Sequence, residues 1–183
     1  MSLLKLNNKL LKLNGKFETL TSSTSFSDWF LPSRDELSQM YTNLMAEGVG
    51  DFAANNWYWS SSELDGTYAY GVRSNDGFTY FRAKTLNYHV RAYRSFTAVI
   101  GVYSLRAIGP GGGLIFYING AGTTYYEAAP SDQSASQIWS NIIDTAVTGT
   151  GTSIGTGQAN TIAIIGQVGM TTSAAKLCND LVI

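Results

Sequence analysis

Apolar positions along the chain change period several times, and each change marks a different kind of element. Residues 3–9 read Leu-Leu-Lys-Leu-Asn-Asn-Lys and residues 10–16 read Leu-Leu-Lys-Leu-Asn-Gly-Lys, a tandem seven-residue repeat with one substitution. The spacing fits a helical heptad, but Asn7-Asn8 and Asn14-Gly15 also fall where the tight turns of a β-meander would lie, with strands over 3–6, 9–13 and 16–20. Either unit is too small and too apolar on one side to stand alone. A Ser/Thr-rich linker over 21–25 follows, and then Phe26-Ser27-Asp28-Trp29-Phe30-Leu31 reads as a short strand stopped by Pro32. Ser33 with Glu36 three residues on forms a capping box, and Leu37, Met40, Tyr41 and Leu44 recur at helical spacing, predicting a helix over 34–46 that Gly48 and Gly50 end.

From Asn55 to Phe96 the period becomes two and the residues become aromatic. Four strands are predicted, over 57–62, 68–72, 77–81 and 88–93, with turns at Asp65-Gly66 and Asn75-Asp76-Gly77, and the alternation runs on from Val90 to Phe96. That alternation puts Val90, Ala92 and Arg94 on one face and Arg91, Tyr93 and Ser95 on the other. Beyond residue 107 the signal is weaker. Gly109-Pro110-Gly111-Gly112-Gly113 and Gly155-Thr156-Gly157 lack the remaining residues of phosphate or dinucleotide loops, and read as bends where a backbone passes too close to its neighbours for a side chain. Trp139 is expected to pack a short helix on the core, and Cys178 to be a small buried hydrophobe in a helical stretch.

Composition narrows the functional classes. The chain has 183 residues, 14% charged and 13% aromatic, and Ser, Thr and Gly together approach a third of it. That is too aromatic for disorder and poorer in charge than an ordinary cytoplasmic enzyme. Twelve basic against thirteen acidic side chains leave a net charge of −1, no footprint for nucleic acid. One Cys and one His exclude an intrachain disulfide and a Cys/His zinc site, and any triad would need His89, which lacks the local signatures of a catalytic base. No run is long enough to insert in a membrane, and the lysine-interrupted start does not read as a signal peptide. No cofactor or metal site is predicted.

Three ordered motifs then carry a resemblance. Asp28-Trp29-Phe30-Leu31-Pro32-Ser33-Arg34-Asp35-Glu36-Leu37, Tyr58-Trp59-Ser60-Ser61-Ser62-Glu63 and Val90-Arg91-Ala92-Tyr93-Arg94 resemble the D-W-x-L-P-S-x-x-E-L, Y-W-S-S-(S/T)-E and V-R-x-V-R signatures of a C-type-lectin-like family. It includes the Fibrobacter paralogous domain and the C-terminal domain of the Legionella collagen-like adhesin. Tyr93 departs from the usual Val. The later stretches Ile108 to Tyr117, Glu127 to Ser134, Gly155 to Thr161 and Ala175 to Leu181 resemble the segments that precede those signatures in the family, so the order is circularly permuted.

The resemblance implies an α+β, C-type-lectin-like fold of short twisted antiparallel sheets with two or three helices. It would occupy residues 21–183, with the family's C-terminal half at 26–96, a linker at 97–107 and its N-terminal half at 108–183. Residues 1–20 would serve as an anchoring and oligomerisation segment. Three arrangements accommodate the permuted order: both halves pairing within one chain, halves exchanged between protomers, or a chain cut out of tandem repeats. The first predicts that Ile183 ends close to the start of the Phe26 strand.

By the same resemblance the aromatic region faces a ligand, and its Tyr, Trp, Ser, Asn and Gly suit adaptable recognition. The candidate contacts are Asn56, Tyr58, Tyr68, Tyr70, Asn75, Tyr80, Asn87, Tyr88 and His89. The expected function is a non-enzymatic phage virion fibre or decoration protein. It would be a homo-oligomer, with a trimer favoured, attached through residues 1–20 to other virion proteins and binding a host-surface glycan or protein. A bacterial surface adhesin domain of the same fold is the alternative.

Overall fold

A computed structural model describes residues 11–13, 16–18 and 25–183. Strands β1 (Leu11–Leu13) and β2 (Lys16–Glu18) form an antiparallel pair with Leu13 opposite Lys16. This is the hairpin register that a turn at Asn14-Gly15 requires, and it favours the meander over the heptad; the strand expected over residues 3–6 lies outside the described residues.

The rest is α+β, built around two sheets. A five-stranded mixed sheet contains β3 (Trp57–Glu63), β4 (Tyr68–Arg73), β5 (Thr79–Ala83), β6 (Tyr88–Val90) and β10 (Ser134–Gln137) in the order β10-β6-β3-β4-β5. A three-stranded antiparallel sheet contains β7 (Tyr93–Thr97), β8 (Leu114–Ile118) and β9 (Thr124–Ala128) in the order β7-β9-β8. The helices are α1 (Arg34–Met40), α2 (Gly157–Ile165) and α3 (Ala174–Asn179).

Local chemistry accounts for α1. The Ser33 hydroxyl accepts from the Glu36 N–H, the Glu36 carboxylate accepts from the Ser33 N–H at 2.7 Å, and Asp35 and Glu36 occupy the positively polarised first turn. The helix continues as a π turn over Tyr41–Met45 and stops at Gly48, whose φ is +68°. Leu37, Met40 and Leu44 are buried, as the helical spacing requires.

Alternation in the five-stranded sheet distributes its side chains to two cores. Trp59 and Ala69 join Trp29, Leu31, Val90, Trp139, Ile164, Ala174, Ala175 and Cys178 in one core, where α2 and α3 pack on β3 and β6. Tyr58 and Val72 point the other way, into a core shared with α1, Tyr93, Phe116 and Tyr126.

Three expectations change. The strand expected over 88–93 is divided: β6 belongs to one sheet and β7, which starts at Tyr93, to the other, and Val90, Arg91, Ala92, Tyr93 and Arg94 are all buried, so no exposed face alternates. Residues between two sheets are covered from every side, and periodicity records only one-sided burial. The stretch around Trp139 is not a helix. Ser134–Gln137 pairs with β6, and Trp139 is buried with its indole N–H donating to the Ser60 carbonyl at 2.7 Å. The Phe26-to-Leu31 stretch is not a regular strand either; Phe30 forms a single bridge to Tyr93.

Segments before residue 97 pair with segments after residue 107. Strand β7 pairs with β9, and β6 with β10, each pair joining a strand before residue 97 to one after residue 107. Phe26 and Ile183 exchange both backbone hydrogen bonds, at 2.5 and 3.0 Å, so the end of the chain lies on Phe26.

Candidate functional site

The signature residues come together, and they bind one another. Arg94 donates from Nε and an Nη to the two carboxylate oxygens of Asp28 at 2.8 and 3.0 Å, and from its other Nη to Glu127 at 3.3 Å. Glu127, fully buried, also accepts the N–H groups of Gly111 and Gly113, at 3.1 and 2.9 Å. Its burial raises the carboxyl pKa, and those donors and Arg94 oppose the rise. Removing Arg94 would leave a buried carboxylate unpaired, at a cost of about 3–5 kcal/mol. Ser60, Ser61 and Ser62 are buried as well: Ser60 and Ser62 donate to the carbonyls of Tyr70 and Gly151, and Ser61 accepts from Asn160. Glu63 forms a buried ion pair with Lys84. The motifs are thus the joints of the fold.

His89 belongs to a similar joint. Asp132 meets the Tyr58 hydroxyl at 2.9 Å, His89 Nδ1 at 2.8 Å and Arg91 Nε at 2.6 Å. Arg91 lies 4.0 Å from the Phe52 ring centre and donates to the carbonyls of Gly50, Asp51 and Ala129. The Tyr58 hydroxyl, which accepts the Ala53 N–H, is held far above the ordinary tyrosine pKa, first by burial and then by the Asp132 charge. His89 and Asp132 make a dyad geometry, but the hydroxyl beside them already donates to the same carboxylate and is not poised as a nucleophile.

The nine candidate residues divide. Tyr58 has no exposed surface, so its ring serves the core and cannot meet a ligand in this state. His89 is half-buried against Tyr58 and Asp132. Asn56 is tied to its own loop through its amide and the Ala54 carbonyl, while Asn75 is exposed in a turn and Asn87 is exposed immediately before β6. Tyr68 and Tyr70 share the sheet face of Tyr58, and the Arg34 guanidinium covers the Tyr70 ring at 5.4 Å. Tyr80 and Tyr88 lie on the opposite side, where the sequence reading passed over four neighbours.

Those neighbours form the most distinctive surface of the molecule. Trp57, Arg73, Phe78 and Arg82 lie on the Trp59 and Ala69 face, on the β3–β5 stretch beyond the part that α2 and α3 cover. Arg73 sits over Phe78 at 5.6 Å and over Trp57 at 5.8 Å; Arg82 sits over Trp57 at 4.8 Å and over Tyr88 at 5.6 Å. The order Phe78, Arg73, Trp57, Arg82, Tyr88 is a ladder of alternating rings and guanidinium groups. At the sheet edge the Tyr80 ring stacks between Phe78 and Phe81. Phe78 is 50% and Tyr80 44% exposed. Aromatic alternation between turns was the available sequence signal; that Arg73 and Arg82 complete the face depends on cross-strand register.

The clefts are open and shallow. One of about 620 Å³ is lined by Ile142, Val147, Ala163, Gln167 and Val168 among others and carries no ionisable side chain. Among the described residues no group of three His, Cys, Asp or Glu side chains is placed to hold a metal, and no helix is long and apolar enough to cross a membrane. No family model, curated protein or solved structure matches the chain.

Proposed function

We propose that this chain is an attachment protein, a virion fibre or decoration protein of a phage, whose C-type-lectin-like, circularly permuted domain binds a glycan or protein on the host surface. The observation that carries the reading is the aromatic face of β3–β5. Phe78 and Tyr80 stand half-exposed on a rigid sheet, held by stacking and by guanidinium groups. Large exposed rings cost solvation unless a partner covers them, and flat rings fixed in place suit sugar rings or a protein epitope at small entropic cost.

The lectin-like part of the proposal rests on the three motifs. Pairing of Asp28 with Arg94, and of β7 with β9, gives those motifs a common structural purpose. Contact between Phe26 and Ile183 supports permutation within one chain. Residues 1–20, with their Leu/Lys/Asn repeat, are assigned the role of assembling a homo-oligomer, a trimer by preference, on other virion proteins.

The test is binding of the purified chain to host cells, followed by flow cytometry. Phe78→Ala with Tyr80→Ala removes two exposed rings and is expected to cut binding at least about tenfold while leaving the melting temperature within a few degrees, since surface substitutions away from structural joints usually cost about 0.5 kcal/mol or less. Undiminished binding by the folded double variant would move the site away from this face.

A further inference from the structure

Charge pairing on this face points to the kind of ligand it takes. Among the described residues, Arg34, Arg73, Lys84, Arg91, Arg94, Arg106 and Lys176 each have a carboxylate within 4 Å. Arg82 has none among the described residues. Its Nε donates to the Tyr88 hydroxyl at 2.7 Å, and among the described residues its Nη groups have no hydrogen-bond acceptor. A guanidinium in a protein stays protonated, so this is a permanent positive charge whose two Nη groups, with four N–H donors, are open among the described residues. It is also oriented in advance, held over the Trp57 and Tyr88 rings by cation–π contact and hydrogen-bonded at one end.

We infer that the β3–β5 face recognises an acidic sugar, a pyranose bearing a carboxylate, with Arg82 pairing the carboxylate through its two Nη groups and the exposed parts of the Phe78 and Tyr80 rings packing against the sugar. The inference deepens the attachment reading above and rests on it. Among the described residues this face offers one cation without a carboxylate partner, which selects one carboxylate and not a polyanion: a phosphate backbone would need several unpaired cations along its track, and Arg73, the nearest alternative, is already neutralised by Asp76. A neutral sugar would stack equally well but would leave the guanidinium unanswered. Planar, bidentate pairing is what distinguishes arginine from lysine at such a site.

The experiment titrates the whole chain with three probes, sialyllactose, a trigalacturonate and neutral lactose, by ligand-observed NMR and calorimetry. At least one acidic probe is expected to bind, lactose about tenfold or more weaker, and the preference to shrink as salt rises. Arg82→Gln should weaken the acidic probe about tenfold or more and leave lactose unchanged, whereas Arg82→Lys should retain part of the preference. Circular dichroism confirms that the variants are folded. Equal binding of acidic and neutral sugars, no acidic binding, or an Arg82→Gln variant that binds as the parent overturns the acidic-sugar inference; if cell binding still depends on Phe78 and Tyr80, the attachment reading survives it. Cell binding that ignores Phe78 and Tyr80 moves the attachment site off this face and overturns the acidic-sugar inference with it, and no cell binding by the folded parent overturns both.

Discussion

Glu36 shows how much one side chain does in this protein. Its carboxylate takes the Ser33 and Gly155 N–H groups, each at 2.7 Å, and the Tyr93 hydroxyl at 3.0 Å, so it caps α1 and ties that helix to β7 and to the loop before α2. Burial raises its pKa above the ordinary 4.5, with the donors opposing the rise. A carboxyl whose folded pKa is raised binds a proton more readily when folded. Its contribution to stability is therefore fully present below about 4.5, and is lost as the pH climbs through the raised folded value. Denaturant midpoints measured across this range should show the parent losing stability relative to Glu36→Gln as the pH rises from 4.5, then running parallel to it. Glu127 titrates in the same direction, so the variant keeps part of the slope. A difference that grows with pH instead would mean that the three donors outweigh burial. The cap itself was legible three residues apart in the sequence. The Tyr93 contact, 57 residues away, was not, because nothing local specifies it.

Elements here are positioned by close approach as much as by burial. A Cβ on Gly113 would stand 1.7 Å from the Ala128 carbonyl oxygen, and one on Gly157 would lie 2.4 Å from the Glu36 carboxylate. The first contact is backbone, which cannot move without opening the β8–β9 pair, where Leu114 faces Ala128. Gly113→Ala should therefore cost about 3 kcal/mol or more, on the order of 10 °C in melting temperature. Gly120→Ala, with nothing within 4 Å of its Cβ, serves as the control and should melt near the parent. Equal melting of the two variants would refute the close approach. The glycine run read correctly as a crowded bend, but the same reasoning misplaced a helix at Trp139. A single tryptophan among polar residues has no period, and β10 exists only because β6 offers it an edge.

For the whole molecule, the meeting of Phe26 with Ile183 is the decisive contact. Two residues that pair by backbone in this way can be joined by a loop of about four residues with little distortion. The connection over 97–107 can then be opened. It is a surface segment with Val99 76%, Ile100 68% and Val102 57% exposed, pinned by the Tyr125 hydroxyl to the Val99 carbonyl and the Gly101 N–H. A permutant running from Ile108 through Ile183, a short loop and Phe26 to Thr97 should fold with near-ultraviolet dichroism close to the parent's and melt on the order of 10 °C lower, having lost the Tyr125 bonds, the backbone bonds of Ala98 to Thr123 and of Arg106 and Ala107 to Ile115, and the Arg106 contacts with Asn43 and Glu47. Failure to regain that spectrum would mean that the 97–107 connection is part of the fold and not a bridge across it.

Sequence alone determined what depends on neighbours along the chain: the capped helix, the register of the β1–β2 hairpin, the aromatic strands and their turns, the crowded glycines and the buried cysteine. It also marked the aromatic half as the place to look for a surface. Tertiary structure decided which aromatics are surface and which are core, removing Tyr58 and adding Trp57, Phe78, Arg73 and Arg82. It decided as well that one strand pattern serves two sheets. The reason is physical: periodicity reports one-sided burial within an element, whereas charge pairing, cross-strand register and burial from two sides depend on residues brought together from distant parts of the chain.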